Sequence, residues 1–374
     1  MKKFLLSLLT ATIFATGSWA QTWNMVVTRE DGTQEVIPTT KVKSVSFQLP
    51  DQNADQLIIK EIYCGGCPLD EGDGYFQKDK GFIIYNNSSK VVVANNLAVA
   101  IVSPFNSYAG SPWFKNGKLV YADQQYIPAI HGIWWFQSAL IVQPYSQVVV
   151  SCQGSVDNTQ TYSKSVNYAN KDYYAMYDPE SGYDGGGRGW YPSPSELIPT
   201  SHYLKAKRIG LGFAWPLSVG APGLILFHTK DVKPAEFANN VDNVIYPPGA
   251  KQTEVNACFK IPTSWIIDGV EVYSNGYKSQ NKKRLTPEID GGSVLLTNQK
   301  GHTLYRNVDK TETEKLPENA GKLVYTYTMG VTTGDPNNID AEASIKKGAH
   351  IVYMDTDNST DDFHERKEFS IRGK

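Results

Sequence analysis

From residue 57 onward the chain is written as short apolar runs punctuated by turn residues, a pattern that suits paired strands far better than helices. Residues 57–63, 81–85, 97–102, 147–152 and 223–227 are rich in Val, Ile, Leu and aromatic side chains, which fit a pleated, half-buried surface. Further strands are expected at 90–94, 138–142, 208–213, 265–273, 293–296, 323–329 and 350–354. Between the runs lie clusters such as Asn86-Asn87-Ser88-Ser89, and the chain carries 31 Gly and 20 Pro, the residues of tight turns. Strong 3.6-residue periodicity is absent, and one short helix is expected, over residues 233–239. The pattern predicts an all-β fold, a β-sandwich with long loops.

The first residues carry a different signal. Lys2 and Lys3 precede an apolar run over residues 4–14, and Ser18-Trp19-Ala20 places small residues where a signal peptidase reads. The run falls short of the roughly 20 apolar residues a membrane span needs. Residues 1–20 are therefore expected to be a cleaved signal peptide. Gln21, in place of a Cys, predicts a non-lipidated product, and no later stretch reads as a transmembrane segment. The expected location is the periplasm or cell surface of a Gram-negative bacterium. Residues 21–50, with the hairpin signal Asp31-Gly32, read as a short N-terminal β segment with strands at 23–28, 35–38 and 42–47. Such a segment is too small to bury a core of its own and is expected to add to the main body, which spans residues 57–374.

Charge narrows the partners. The formal net charge is −2, and removal of residues 1–20 takes away two lysines and no acids. With Lys282-Lys283-Arg284 as its longest basic run, the chain has no field for nucleic acid. A hydrophobic content of 41% supplies a core, and a charged content of 20% argues against global disorder.

Several segments carry a family resemblance. Leu57-Ile58-Ile59-Lys60-Glu61-Ile62-Tyr63 and Phe82-Ile83-Ile84-Tyr85-Asn86-Asn87-Ser88 are similar to the opening of lamin-tail-like immunoglobulin folds. The runs at 261–271 (Ile-Pro-Thr-Ser-Trp-Ile-Ile-Asp-Gly-Val-Glu) and 355–363 (Asp-Thr-Asp-Asn-Ser-Thr-Asp-Asp-Phe) resemble an uncharacterised secreted family of the Bacteroidetes, domain-of-unknown-function family 4876. Residues 164–173 and Gly301-His302-Thr303-Leu304-Tyr305-Arg306-Asn307 add to the likeness. The resemblance implies an immunoglobulin/lamin-tail-like β-sandwich with long loop insertions, working beside TonB-dependent outer-membrane transport. It brings no catalytic residues. Two departures stand out: Ile83 occupies a position where lamin-tail-like strands often carry Glu, and Cys64-Gly65-Gly66-Cys67 replaces a Gly-rich turn.

Four candidate sites follow from residue chemistry. Cys64, Cys67, Cys152 and Cys258 all lie in the portion expected to be exported, where thiols are usually oxidised, so structural disulfides are expected over a zinc site or redox catalysis. Four cysteines permit three pairings, and sequence does not choose among them. Calcium, a ligand of clustered carboxylates and amides, has two candidate loops: Asp355, Asp357, Asn358, Asp361 and Asp362, and Asp335, Asn337, Asn338 and Asp340. Turn capping by the same side chains explains them more simply. Residues 173–199, interrupted by Gly and Pro, read as a long surface loop whose aromatics Tyr173, Tyr174, Tyr177, Tyr183, Trp190 and Tyr191 are candidates to stack on a sugar or a partner. Trp113-Phe114 and Trp134-Trp135-Phe136 read as packing.

No nucleophile elbow, zinc-helix motif or phosphate-cradling loop is present, and the six histidines are scattered. The expected function is that of an exported non-enzymatic protein binding a glycan, another ligand or a transport partner. The alternatives are an exported hydrolase acting on glycan or peptide through paired carboxylates, and a calcium-stabilised component of a surface assembly.

Overall fold

The computed structural model describes residues 23–45, 49–183, 189–210, 212, 217–253, 255, 257–331 and 337–373. The expected signal peptide and Asp335 lie outside these residues. Contacts divide the chain into two compact units, Met1–Gln48 and Leu49–Lys374.

In the first unit, strands Asn24–Thr28 and Gln34–Pro38 form an antiparallel hairpin. Its turn is the expected one: Gly32 takes φ +82°, and Asp31 Oδ1 accepts hydrogen bonds from the Thr33 amide and hydroxyl. The strand expected at 42–47 does not form among the described residues; a 3-10 turn, Thr39–Lys41, ends the hairpin instead.

The second unit is mainly β, with several sheets and few, short helices. Among the described residues one sheet has six strands, in the order Tyr174–Ala175, Gln147–Gln153, Lys80–Asn86, Leu57–Tyr63, Thr303–Arg306 and Phe363–Arg366. The other has eight: Val244–Ile245, Cys258–Pro262, Tyr126–Trp135, Leu97–Val102, Gly223–His228, Ile266–Ser274 and Val294–Leu296, with Lys205–Arg208 also paired to Tyr126–Trp135. Pairing is antiparallel except at two edges, where Tyr174–Ala175 and Val294–Leu296 add in parallel. The expected short helix is Pro234–Asn239.

Both sheets contribute to one apolar cluster. Ile59, Ile62, Phe82, Ile84 and Val150 come from the first; Val99, Ile101, Leu224, Leu226, Val270 and Val272 come from the second. Each sheet is also covered on its other face. Ala98, Ala100 and Val102 turn to a second cluster with Trp113, Phe227 and Phe259. Ile58 and Tyr85 join a third with Tyr305, Ile351 and Tyr353, while Tyr63, Ile83 and Val149 join a fourth with Phe369 and Ile371. Burial on both faces explains why Leu57–Tyr63 and Leu97–Val102 read as continuous apolar runs and not as alternating ones. Lys60 and Glu61, which interrupt the first run, are buried with it.

Candidate functional site: an acidic cleft held by Arg306

Two β-bulges create the central feature of the second unit. The register between Leu57–Tyr63 and Lys80–Asn86 slips between Ile59 and Glu61. On the other sheet, Leu226 faces Asp268 while Phe227 faces Ile266, leaving Ile267 as the extra residue. A bulge frees backbone groups and re-aims side chains, and buried backbone groups need partners. Here the two bulges supply each other. The Ile59 amide donates to Asp268 Oδ2 at 2.6 Å, and the Ile59 carbonyl accepts from Arg306 Nε at 3.0 Å.

Arg306 is 1% exposed and fully engaged. Its Nη2 pairs with Asp268, and its Nη1 donates to the Met354 carbonyl at 2.9 Å and to Asp355 Oδ1 at 2.8 Å, with Asp362 Oδ2 at 3.4 Å. Its guanidinium also lies 4.7 Å from the Phe363 ring centroid. One arginine thus answers three aspartates, so the region keeps a surplus of negative charge. Burial pushes the Asp268 carboxyl well above the usual carboxylate range, with Arg306 pulling it back. Asp357, in the left-handed region at φ +53°, is also raised, by burial and then by Asp355 and Asp362.

Beside this network opens a cleft of about 570 Å³. Pro262, Thr263 and Ser264 form one wall, on the 3-10 turn Thr263–Trp265 that links two strands of the second sheet. Asp268, Glu288 and Asp357 supply its carboxylates, and Ile266, Ile267 and Ile289 its apolar lining. Asp290 anchors the segment bearing Glu288. Its carboxylate accepts from the Glu271 and Gly292 amides and from the Ser359 amide and hydroxyl, at 2.7–2.9 Å. Among the described residues no aromatic ring lines the cleft. The resembling segments 261–271, 301–307 and 355–363 converge here, through Asp268, Arg306, and Asp355 with Asp357 and Asp362.

The remaining candidate residues lie elsewhere or do other work. In the first calcium loop, Asn358 caps the Thr360 amide at 3.0 Å and donates to Asp361 at 2.7 Å. Asp362 accepts from the Thr356 amide and hydroxyl, and Asp355 pairs with Arg306. In the second, the Asn337 and Asn338 amides donate to the carbonyls of Val308 and Tyr325, and Asp340 caps the Ala343 amide at 2.9 Å. Among the described residues no group of three or more His, Cys, Asp or Glu is arranged to hold a metal ion.

The aromatic loop departs from its reading as a surface platform. Tyr183 (1% exposed) and Tyr191 are core residues packed on Trp134, with ring centroids 5.1 and 5.5 Å away, and the Tyr183 hydroxyl donates to the His131 carbonyl. Tyr174 stacks on His202 at 4.2 Å, Tyr177 meets Tyr203 edge-on, and Lys78 sits over Trp190; all three rings are half-buried against the same core. Gly and Pro make the loop irregular, but its rings cover the core.

The expected disulfides differ from the structure too, in which Cys64, Cys67, Cys152 and Cys258 are buried thiols. For Cys64 with Cys152, and for Cys258, geometry explains the difference. Cys64 and Cys152 lie on either side of Lys80–Asn86, two strand spacings or about 9–10 Å apart, and a disulfide spans no more than about 7 Å between Cα atoms. Cys258 belongs to a different apolar cluster. Burial pushes Cys64, Cys67 and Cys258 up to about 12, and Asp79 adds to this at Cys67.

No curated protein matches the sequence. A solved structure described as a DUF4876 family protein from Bacteroides thetaiotaomicron VPI-5482 is similar in fold, with a TM-score of 0.56 and 17% sequence identity. The similarity covers 91% of this chain and 80% of that one. Residues 143–370, more than half the chain and including all three converging segments, match the family described as Protein of unknown function (DUF4876). The chain belongs to the DUF4876 family.

Proposed function

We propose that this chain is an exported, non-enzymatic envelope protein, built as an immunoglobulin/lamin-tail-like β-sandwich, that binds a cationic group of a ligand or transport partner in the acidic cleft. The observation that carries the reading is the charge imbalance around Arg306. Asp268, Asp355 and Asp362 share that one guanidinium, and Glu288 and Asp357 add to the cleft wall. In a concave site, carboxylates of one sign focus the field and favour a cation. An accessory role in TonB-dependent outer-membrane uptake fits such a site, because a partner can present a Lys or Arg side chain to it. The proposal is tested by pull-down from envelope extract with the wild-type chain and with Glu288→Gln/Asp357→Asn. Enrichment of an outer-membrane transporter by the wild type and its loss in the double variant are expected. Equal recovery by both would reject the cleft as the contact.

A second reading has one observation in its favour. A carboxyl raised by burial beside two others is the arrangement of a general acid, which points to hydrolysis of a glycan or peptide. Against it, Asp268 Oδ2 is committed to Arg306 and to the Ile59 amide, and among the described residues no aromatic ring lines the cleft to carry a sugar. Hydrolysis of a glycan or peptide panel that disappears in Asp268→Asn, with the fold retained, would favour this reading over binding.

A further inference from the structure

Two buried arginines match all their nitrogens with protein acceptors, whereas buried Arg366 and partly buried Arg372 each leave one unmatched, beside the same cleft. Arg306 spends Nε, Nη1 and Nη2 on protein acceptors. Arg284 does likewise: Nε and Nη2 bond Glu271, and Nη1 donates to the Pro104 carbonyl at 2.7 Å. Arg366 is 3% exposed, and among the described residues its side chain donates one hydrogen bond, from Nε to the Tyr327 hydroxyl at 2.6 Å; its Nη1 is enclosed without a hydrogen-bond partner among them. Arg372 donates through Nη2 to the Tyr63 hydroxyl and the Gly301 carbonyl, at 3.1 and 3.3 Å, while its Nε is enclosed and unmatched. A buried donor without an acceptor costs about 1–3 kcal/mol, and both such donors belong to arginines that border one cleft.

Both arginines line a cleft of about 230 Å³ between the short helix Ala341–Lys346 and residues 366–373, with Lys346 and Ser370 also on its wall. We propose that this cleft binds a small oxyanion, a carboxylate or phosphate group, on Arg366 and Arg372. The planar guanidinium suits such a group because it presents paired N–H donors. Arg366 is held for the purpose: its guanidinium lies 3.9 Å from the Tyr305 ring centroid and 4.8 Å from that of Tyr327, which fix its plane. Most of the acids around the cleft already have partners. Asp340 caps the Ala343 amide, Glu342 accepts from Lys60 and the Tyr305 hydroxyl, and Glu61, behind the wall, accepts from the Ser370 amide and hydroxyl. Exposed Glu368 remains on the wall and disfavours polyanions, so the ligand carries one oxyanion group.

The test is thermal melting of the full chain in sodium acetate and in sodium phosphate, each against sodium chloride of matched ionic strength. A saturable rise in melting temperature with either oxyanion, absent with chloride, is expected. Saturation by acetate alone assigns a carboxylate ligand, and by phosphate alone a phosphate. Arg366→Lys, which keeps the charge and removes the fork, abolishes the saturable rise, and Arg372→Gln weakens it at least severalfold. If Arg366→Lys does not fold, Arg372→Gln decides. Acetate and phosphate curves that coincide with chloride in the wild type, or an oxyanion response unchanged in the variants that fold, would overturn the proposal.

Discussion

Replacing Arg306 with Met separates an organising role from a merely local one. The substitution keeps an apolar stem against Phe363 and removes the partner of Asp268 and Asp362, whose side chains are 5% and 3% exposed. It also leaves the Ile59 carbonyl without its donor. Removing one member of a buried ion pair costs about 3–5 kcal/mol, because a charge is left uncompensated in the interior. The loss has a pH signature whose sign can be worked out. Without Arg306, which pulls against the burial that raises it, the folded-state pKa of Asp268 rises further above its unfolded value. The folded state then binds more protons than the unfolded state between about pH 4 and that raised value, and stability falls as pH rises through that window. The deficit of Arg306→Met relative to wild type is therefore largest at pH 8 and smaller at pH 5. Urea denaturation followed by tryptophan fluorescence at both pH values measures it. Asp268→Asn in the same background should recover part of the loss, with a coupling of about 1–3 kcal/mol. A deficit under about 1 kcal/mol at pH 8, or an equal deficit at both pH values, would refute the argument that Arg306 compensates the buried aspartates.

Three further expectations are independent of that cluster. Burial raises Glu61 to about 7 against the opposing pull of Arg366 and Lys60, so its contribution makes the wild type lose stability as pH climbs from about 4.5 to 7, by an amount on the order of 3 kcal/mol; Glu61→Gln should remove that slope, and parallel pH–stability curves would count against it. Tyr183→Ala should cost about 3–5 kcal/mol in urea unfolding, as deletion of a buried ring does; a change within about 0.5 kcal/mol would instead mark an exposed binding residue. Alkylation in denaturant without reductant, followed by intact mass measurement, should modify all four cysteines, whereas any disulfide would lower that number.

The strands were legible where burial on both faces made the apolar signal continuous, as at Leu57–Tyr63, Leu97–Val102 and Gly223–His228. The longest strand, Tyr126–Trp135, was not. Pro128 and His131-Gly132 interrupt its apolar pattern, and in the structure His131 takes φ +70° and Gly132 φ +125° at a bulge that the strand survives. Thr303–Arg306 and Phe363–Arg366 were hidden because their charged residues look like surface, although both arginines are buried. Conversely, residues 323–329 and 350–354 are apolar enough to read as strands, but among the described residues the first forms no bridge and the second a single isolated one, at Tyr353; of the strand expected at 208–213, Arg208 ends the strand Lys205–Arg208, and residues 211 and 213 lie outside the described residues. The acidic cleft had the same fate as the buried arginines. Its segments were singled out one by one, but Asp268, Arg306 and Asp357 are far apart in sequence, and only the paired bulges bring them together. A buried Arg inside a β-like run was the one available signal.

The central claim is that the cleft lined by Asp268, Glu288 and Asp357 takes a cation, and calorimetric titration of the full chain with a short aliphatic diamine at low ionic strength tests it most directly. The account predicts saturable binding at one site, weakened by added salt and lost in Glu288→Gln/Asp357→Asn while the melting temperature stays close to wild type. Absence of saturable heat, or binding that the double substitution leaves unchanged, would contradict it.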